Sequence, residues 1–292
     1  KDAIAEPLRN WYQSVALADI KAESPVIMDI QAVSFSYDGL RQVLDNVDIL
    51  IREGEMLSIV GRNGAGKSTL AKLLCGFVHE DAGRIFFRDV NIRSKSIKER
   101  AEIIGYVMQN PNQMISKNLI YDEVALGLRL RQLSEEKIKP RVEKILRICG
   151  LLPYIDWPIS CLSYGQKKRV TIASILVLEP QIIILDEPTA GQDYRHYTEI
   201  MDFLCELNDL GITIILITHD MHLMLEYSPR AVVLSEGKKL ADTRASVVLT
   251  DAQVIKEANL KETSLYQLAQ MVGIEDKTGF VQRFIDYERQ RV

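Results

Sequence analysis

The sequence predicts an α/β protein: a largely parallel sheet covered by helices, with an antiparallel β region ahead of it and a helical insert within it. Three observations carry that expectation. Ile182-Ile183-Ile184-Leu185 and residues 212–217 are short unbroken apolar runs rich in β-branched residues, as in strands buried on both faces. Met56–Val60 is a compact apolar strand that runs through a glycine-rich turn into a helical stretch from Lys67 to about Cys75. Before it, Val26-Met28-Ile30 and Val43-Val47-Ile49-Ile51 alternate with polar residues, the pattern of antiparallel strands with one wet face.

The remaining elements follow in order. Residues 1–24 show weak periodicity and mixed charge, as a tail or interdomain linker does, and the main domain is expected over 25–244. Residues 103–108 (IIGYVM) read as another strand. A helical insert, expected at about 113–167, carries Val124, Leu126 and Leu128 and then Val142, Ile145 and Leu146 at helical spacing, with Pro140 opening its second helix. Ala231-Val232-Val233-Leu234 followed by Glu236-Gly237 reads as a last strand and turn. Residues 245–292 are amphipathic and helix-like, a C-terminal appendage. Its Leu265, Leu268, Met271 and Val272 share a helix face, open either to a partner or to the appendage's own domain.

Composition bounds the function. With 292 residues, 47% hydrophobic and 26% charged, the chain folds and buries a core. Lys+Arg 36 against Asp+Glu 40 gives a net charge of -4, which argues against nucleic-acid binding by bulk electrostatics, so any phosphate binding is local. Cys75, Cys149, Cys161 and Cys205 form no CxxC pair, so neither a zinc site nor a disulfide framework is indicated, and a reducing, cytosolic setting fits. No apolar run reaches the roughly 18 residues a membrane span needs. The chain begins at Lys1 rather than Met and reads as a piece of something longer.

Gly61-Arg62-Asn63-Gly64-Ala65-Gly66-Lys67-Ser68 matches GxxxxGK[ST], set between strand and helix. Such a loop curls its N–H groups around phosphate oxygens at a helix N-terminus, with Lys67 on the outer phosphates, Ser68 on Mg²⁺ and Thr69 near the α-phosphate. The strand at 182–185 ends in Asp186-Glu187, two carboxylates at the sheet edge where ligands bind. Asp186 is placed for the Mg²⁺ shell, and Glu187, pointing elsewhere, to take a proton from an attacking water.

Leu162-Ser163-Tyr164-Gly165-Gln166-Lys167-Lys168-Arg169 resembles the LSGGQ signature of ATP-binding-cassette (ABC) ATPases. Other landmarks of that family stand in order over about residues 26–240: Tyr37, Gln109 after a strand, Glu187-Pro188-Thr189 with Asp193 beyond, and His219 after a strand. The resemblance implies a phosphate-loop NTPase (RecA-like) core and an ATP sandwiched between two such domains, each offering its signature to the other's phosphate loop. It implies that Tyr37 stacks on adenine, Gln109 meets Mg²⁺ or water, Glu187 polarises water and His219 contacts the γ-phosphate. Ser163 and Gly165 then serve the partner's ATP. Tyr164 stands where the signature has a glycine, and Gln192 where leucine is frequent. The tyrosine is expected to be strained in glycine-type backbone angles, and any defect it causes to fall on the partner's site.

Gln109-Asn110-Pro111-Asn112-Gln113-Met114, Gln166-Lys167-Lys168-Arg169-Val170 and Thr189-Ala190-Gly191 are similar to the ATPases of energy-coupling-factor importers of vitamins and metal ions. That resemblance implies a peripheral ATPase on the cytoplasmic face of the cell membrane. Its expected partners are a second ATPase domain, separate or fused in tandem, a transmembrane coupling protein and a membrane substrate-capture protein. The competing readings are a soluble ABC ATPase acting on ribosomes or DNA, disfavoured by the acidic charge and short insert, and a phosphate-loop kinase, which does not need the signature.

Overall fold

The computed structural model describes residues 2–14, 24–190 and 194–289. The chain runs α1 (Asp2–Ser14), β1 (Val26–Ser36), β2 (Gln42–Arg52), β3 (Met56–Val60), α2 (Lys67–Cys75), β4 (Ala82–Phe87) and β5 (Val90–Asn91). It continues with α3 (Ile97–Arg100), β6 (Ile104–Val107), α4 (Ile120–Leu130), α5 (Glu135–Ile148), α6 (Tyr164–Leu176) and β7 (Ile182–Asp186). Then come α7 (Tyr194–Asp209), β8 (Thr213–Thr218), α8 (Met221–Tyr227), β9 (Arg230–Ser235) and β10 (Lys238–Arg244). The short helices α9 (Ala245–Val248), α10 (Ala252–Glu257) and α11 (Ser264–Met271), with α12 (Lys277–Arg289), close it.

The central sheet has the order β10-β9-β3-β8-β7-β6 and is parallel except for its edge strand β10. A smaller antiparallel sheet, β2-β1-β4-β5, lies on one side of it. The unbroken apolar runs of β7 and β8 are explained by the alternation of side chains in a strand. Ile183, Leu185, Ile214 and Leu216 enter the core shared with the helical insert. Ile182, Ile184, Ile215 and Ile217 enter the core shared with α2 and the antiparallel sheet. Both faces are dry, so no polar residue interrupts either strand.

The helical insert packs Val124, Leu128, Val142 and Leu146 into the first of these cores. Pro140 does not open its second helix. It lies inside α5, which starts at Glu135 after the N-cap residue Ser134, with Glu135 and Glu136 in the first turn. Acidic residues there complement the positive end of the helix, and that outweighs the preference of proline for the first position.

The opening residues, read from the sequence as weakly periodic, include a helix; residues 1 and 15–23 lie outside the described ones. Ala5, Leu8, Trp11 and Tyr12 of α1 join a third core with Phe280, Val281 and Ile285 of α12. The Arg9 guanidinium donates to the Val272 carbonyl at 2.8 and 2.6 Å, satisfying an acceptor at the end of α11. Trp11 meets the rings of Phe280, Phe284 and Tyr287 edge-on. Leu265, Leu268 and Val272 pack within this same core while Met271 is exposed, so the apolar face of α11 is used within the chain. Among the described residues no helix is long and apolar enough to cross a membrane.

Candidate functional site

Four adjacent parallel strands, β3, β8, β7 and β6, end on the same edge of the central sheet, where a parallel sheet binds its ligands. Their ends deliver the loop 61–68, Thr218 and His219, Asp186 and Glu187, and Gln109, in that order across the sheet. At about 4.8 Å between neighbouring strands, these groups are spread over on the order of 15 Å of the sheet edge.

Glycine is required in the loop at two places. A Cβ at Gly61 would lie 2.1 Å from the Leu234 carbonyl oxygen, and one at Gly66 would lie 2.6 Å from Leu44 and 2.8 Å from the Val43 carbonyl. Gly66 also has a φ of 101° at the N-cap of α2, which has no side-chain cap, so its first N–H groups face outward. The far end of α2 is tied down by Arg100, a fully buried guanidinium that donates to the carbonyls of Leu73 at 2.6 Å and Leu74 at 3.3 Å.

Lys67 is buried and donates to the Gly61 carbonyl at 2.6 Å and the Arg62 carbonyl at 3.1 Å, lying back along its own loop. Burial pushes its pKa down, an effect that the nearby Glu187 and Asp186 carboxylates partly oppose. The Ser68 hydroxyl donates to Asp186 Oδ2 at 3.3 Å, and the Tyr106 hydroxyl to the same oxygen at 2.8 Å. Burial, with the Asp186 carboxylate adding to it, raises the Tyr106 phenol's pKa far above its usual range, so it stays a donor. Asp186 and Ser68 thus present hard oxygen donors side by side, the chemistry Mg²⁺ selects.

Glu187 turns the other way. Its Oε1 lies 2.6 Å from His219 Nδ1, and its Oε2 accepts from the Thr218 hydroxyl at 3.3 Å. The residue adopts φ 45° as β7 ends, held by an N–H bond to the Ile217 carbonyl at 2.8 Å. A non-glycine residue in this region costs about 1–3 kcal/mol and is concentrated at functional sites. Tyr37 is exposed, with its hydroxyl 3.4 Å from Thr69 Oγ1 and its ring edge-on to Phe35. Asn63 and Gly64 are exposed at the loop tip, and Ala65 is buried beneath it.

The signature residues occupy the start of α6. Ser163 is its N-cap: Oγ accepts from the Gln166 N–H at 3.2 Å while the Ser163 N–H donates to Gln166 Oε1 at 3.0 Å. The hydroxyl proton remains available to an anion. Ser163 and Gly165 border a cavity of about 480 Å³ that Arg169, His196 and Glu199 also line and that no residue of the loop 61–68 enters. Tyr164 is not strained: it is the first residue of α6 and has a negative φ. The expectation of strain fails because this position is helical, where any side chain is accommodated. Gly191, Gln192 and Asp193 lie outside the described residues. Tyr106, Thr218 and Lys168 belong to the site without having been assigned a role from the sequence. Only their cross-strand or cross-helix contacts identify them.

Residues 44–190 match the ABC transporter family, and the chain belongs to it as an ATP-binding domain. A protein of Clostridium perfringens (strain 13 / Type A), provisionally named an ABC transporter ATP-binding protein, is 56% identical over 97% of this chain and 50% of its own length. One of Enterococcus faecalis (strain ATCC 700802 / V583), named likewise, is 57% identical over 90% of this chain and 47% of its own. The chain therefore spans about half the length of the curated relatives it matches. Among solved structures, CbiO1 of Clostridium perfringens, described as part of the ABC transporter complex CbiONQ, is similar at 36% identity and a TM-score of 0.74, over 85% of this chain and 99% of that one. The ATP-binding cassette MJ1267 in its ADP conformation is similar at 27% identity and a TM-score of 0.72, over 80% of this chain and 98% of that one.

Proposed function

We propose that this chain is an ATP-hydrolysing cassette that powers a membrane importer of the energy-coupling-factor type, for a vitamin or a metal ion. The observation that carries the chemistry is the split of two adjacent carboxylates: Asp186 faces Ser68, and Glu187 faces His219. The importer subclass rests on the residues after Gln109 and Gln166 and on the likeness to CbiO1.

In this reading the loop N–H groups and the end of α2 receive the β- and γ-phosphates, and Lys67 swings from its loop carbonyls to a phosphate oxygen. Tyr37 offers its exposed ring to adenine. Ser68, Asp186 and the Gln109 side chain hold Mg²⁺, which when bound neutralises phosphate charge and orients the outer oxygens. Glu187 accepts the proton of the attacking water. His219, fixed through Nδ1, directs Nε2 to the γ-phosphate.

Ser163 and Gly165 serve the ATP of a second cassette, and closure of the pair transmits through the helical insert to a transmembrane coupling protein. A substrate-capture membrane protein completes the assembly, at the cytoplasmic face of the membrane. The doubled length of the curated relatives leaves room for the second cassette in the same polypeptide.

Two variants test the chemistry. Glu187→Gln retains ATP and loses turnover at least about tenfold, since a positioned base contributes ~10²–10⁴-fold; wild-type turnover removes Glu187 from the role of base. For Lys67→Ala, titration calorimetry is expected to register a large loss of ATP affinity. An unchanged isotherm contradicts the phosphate-loop assignment.

A further inference from the structure

The Gln109 backbone carbonyl is held by two side chains of one helix. The Tyr164 hydroxyl donates to it at 3.2 Å and Lys168 Nζ at 3.0 Å, while Nζ also donates to the Met108 carbonyl at 2.7 Å. Tyr164 and Lys168 are four residues apart on α6 and so share a face. Lys168 is fully buried, and Tyr164 keeps 39% of its surface open. A glycine at 164, as in the signature that this segment resembles, offers no side chain to that carbonyl. The tyrosine adds a second donor to a residue that leaves β6 directly into the site.

We propose that Tyr164 is a positioning residue for Gln109 and so acts on the nucleotide site of its own chain, built on Lys67. This rests on the reading of the loop 61–68 as the ATP site. The hydroxyl fixes the Gln109 peptide plane, and that plane sets the direction in which the Gln109 amide reaches towards metal or water. Because Ser163 adjoins Tyr164 at the same helix start, a pull on Ser163 from the partner's phosphate moves the Gln109 carbonyl with it. The two composite sites are thereby joined through one hydroxyl and one buried ammonium.

A double-mutant cycle in the full-length protein tests this, with kcat and KM for ATP measured for Tyr164→Phe, Gln109→Ala and the pair. Tyr164→Phe is expected to lower kcat about fivefold with KM changed less than about twofold, the effect of losing one hydrogen bond that orients rather than binds. On the Gln109→Ala background the same substitution is expected to cost nothing further. Equal losses in both backgrounds, or no loss in the first, overturn the proposal. Should Tyr164→Phe lower the melting temperature, the EPR spectrum of Mn²⁺–ATP held on the Glu187→Gln variant gives a second readout. Adding Tyr164→Phe there is expected to change the Mn²⁺ spectrum in the same direction as adding Gln109→Ala. An unchanged spectrum overturns the proposal. Lys67→Ala, assayed for ATP affinity alongside, separates the two failures: retained affinity removes the site assignment, whereas lost affinity with an additive cycle removes only the role of Tyr164.

Discussion

Lys168 shows how much a single buried charge shapes this site. Burial lowers its pKa from 10.5 to about 8, with Asp186 opposing only part of the effect, while two carbonyls accept hydrogen bonds from it. The unfolded chain therefore holds a proton on this lysine between about pH 8 and 10.5 that the folded chain has released. More protons bound in the unfolded state means that this group's contribution to stability rises with pH across that window. Below pH 8 both states are charged and the full burial penalty is present. Chemical denaturation from pH 7 to 10.5 is expected to show wild type gaining up to about 3 kcal/mol relative to Lys168→Met. A constant difference between the two proteins contradicts the burial argument. The residues proposed to bear the chemistry, Lys67, Ser68, Asp186, Glu187 and His219, could be picked out of the sequence as candidates because each stands at a fixed offset from a strand or glycine turn. Tyr106, Thr218 and Lys168 could not, since each owes its place to a neighbour brought alongside by the fold.

At the scale of elements, legibility followed burial. The strands buried on both faces, β7 and β8, and the unit β3, loop, α2 were readable to within about a residue because unbroken apolar runs and a glycine turn leave little choice. The edge strand β10, with sequence KKLADTR, carries no alternation and is fixed instead by pairing with β9. Helix α1 is a further case: it has Pro7 inside it, and its apolar face finds its partner in α12, more than 260 residues along the chain. Such a helix depends on distant packing rather than on local propensity. Trp11→Ala is therefore expected to destabilise the appendage by about 2–4 kcal/mol. Hydrogen exchange is expected to speed up in α12 while β7 and β8 stay protected. Uniform acceleration across the chain contradicts a local effect of this packing. For the phosphate loop, Gly66→Ala forces a Cβ against Leu44 and the Val43 carbonyl at φ 101°, and is expected to lose ATP affinity rather than merely melting temperature.

For the molecule as a whole, the sheet edge collects Lys67, Asp186, Glu187, His219 and Gln109, while α6 carries Ser163 and Gly165 beside a separate cavity. On the proposed reading, a cassette so divided holds one half of each of two sites, and ATP binding and ATP turnover are then expected to respond differently to isolation. The direct measurement is ATP turnover per chain by the 292-residue chain over a dilution series, with ATP affinity followed in parallel. The account predicts that the rate per chain falls towards zero with dilution while nucleotide affinity at the loop persists. A rate per chain that stays constant as the protein is diluted to isolated cassettes contradicts it.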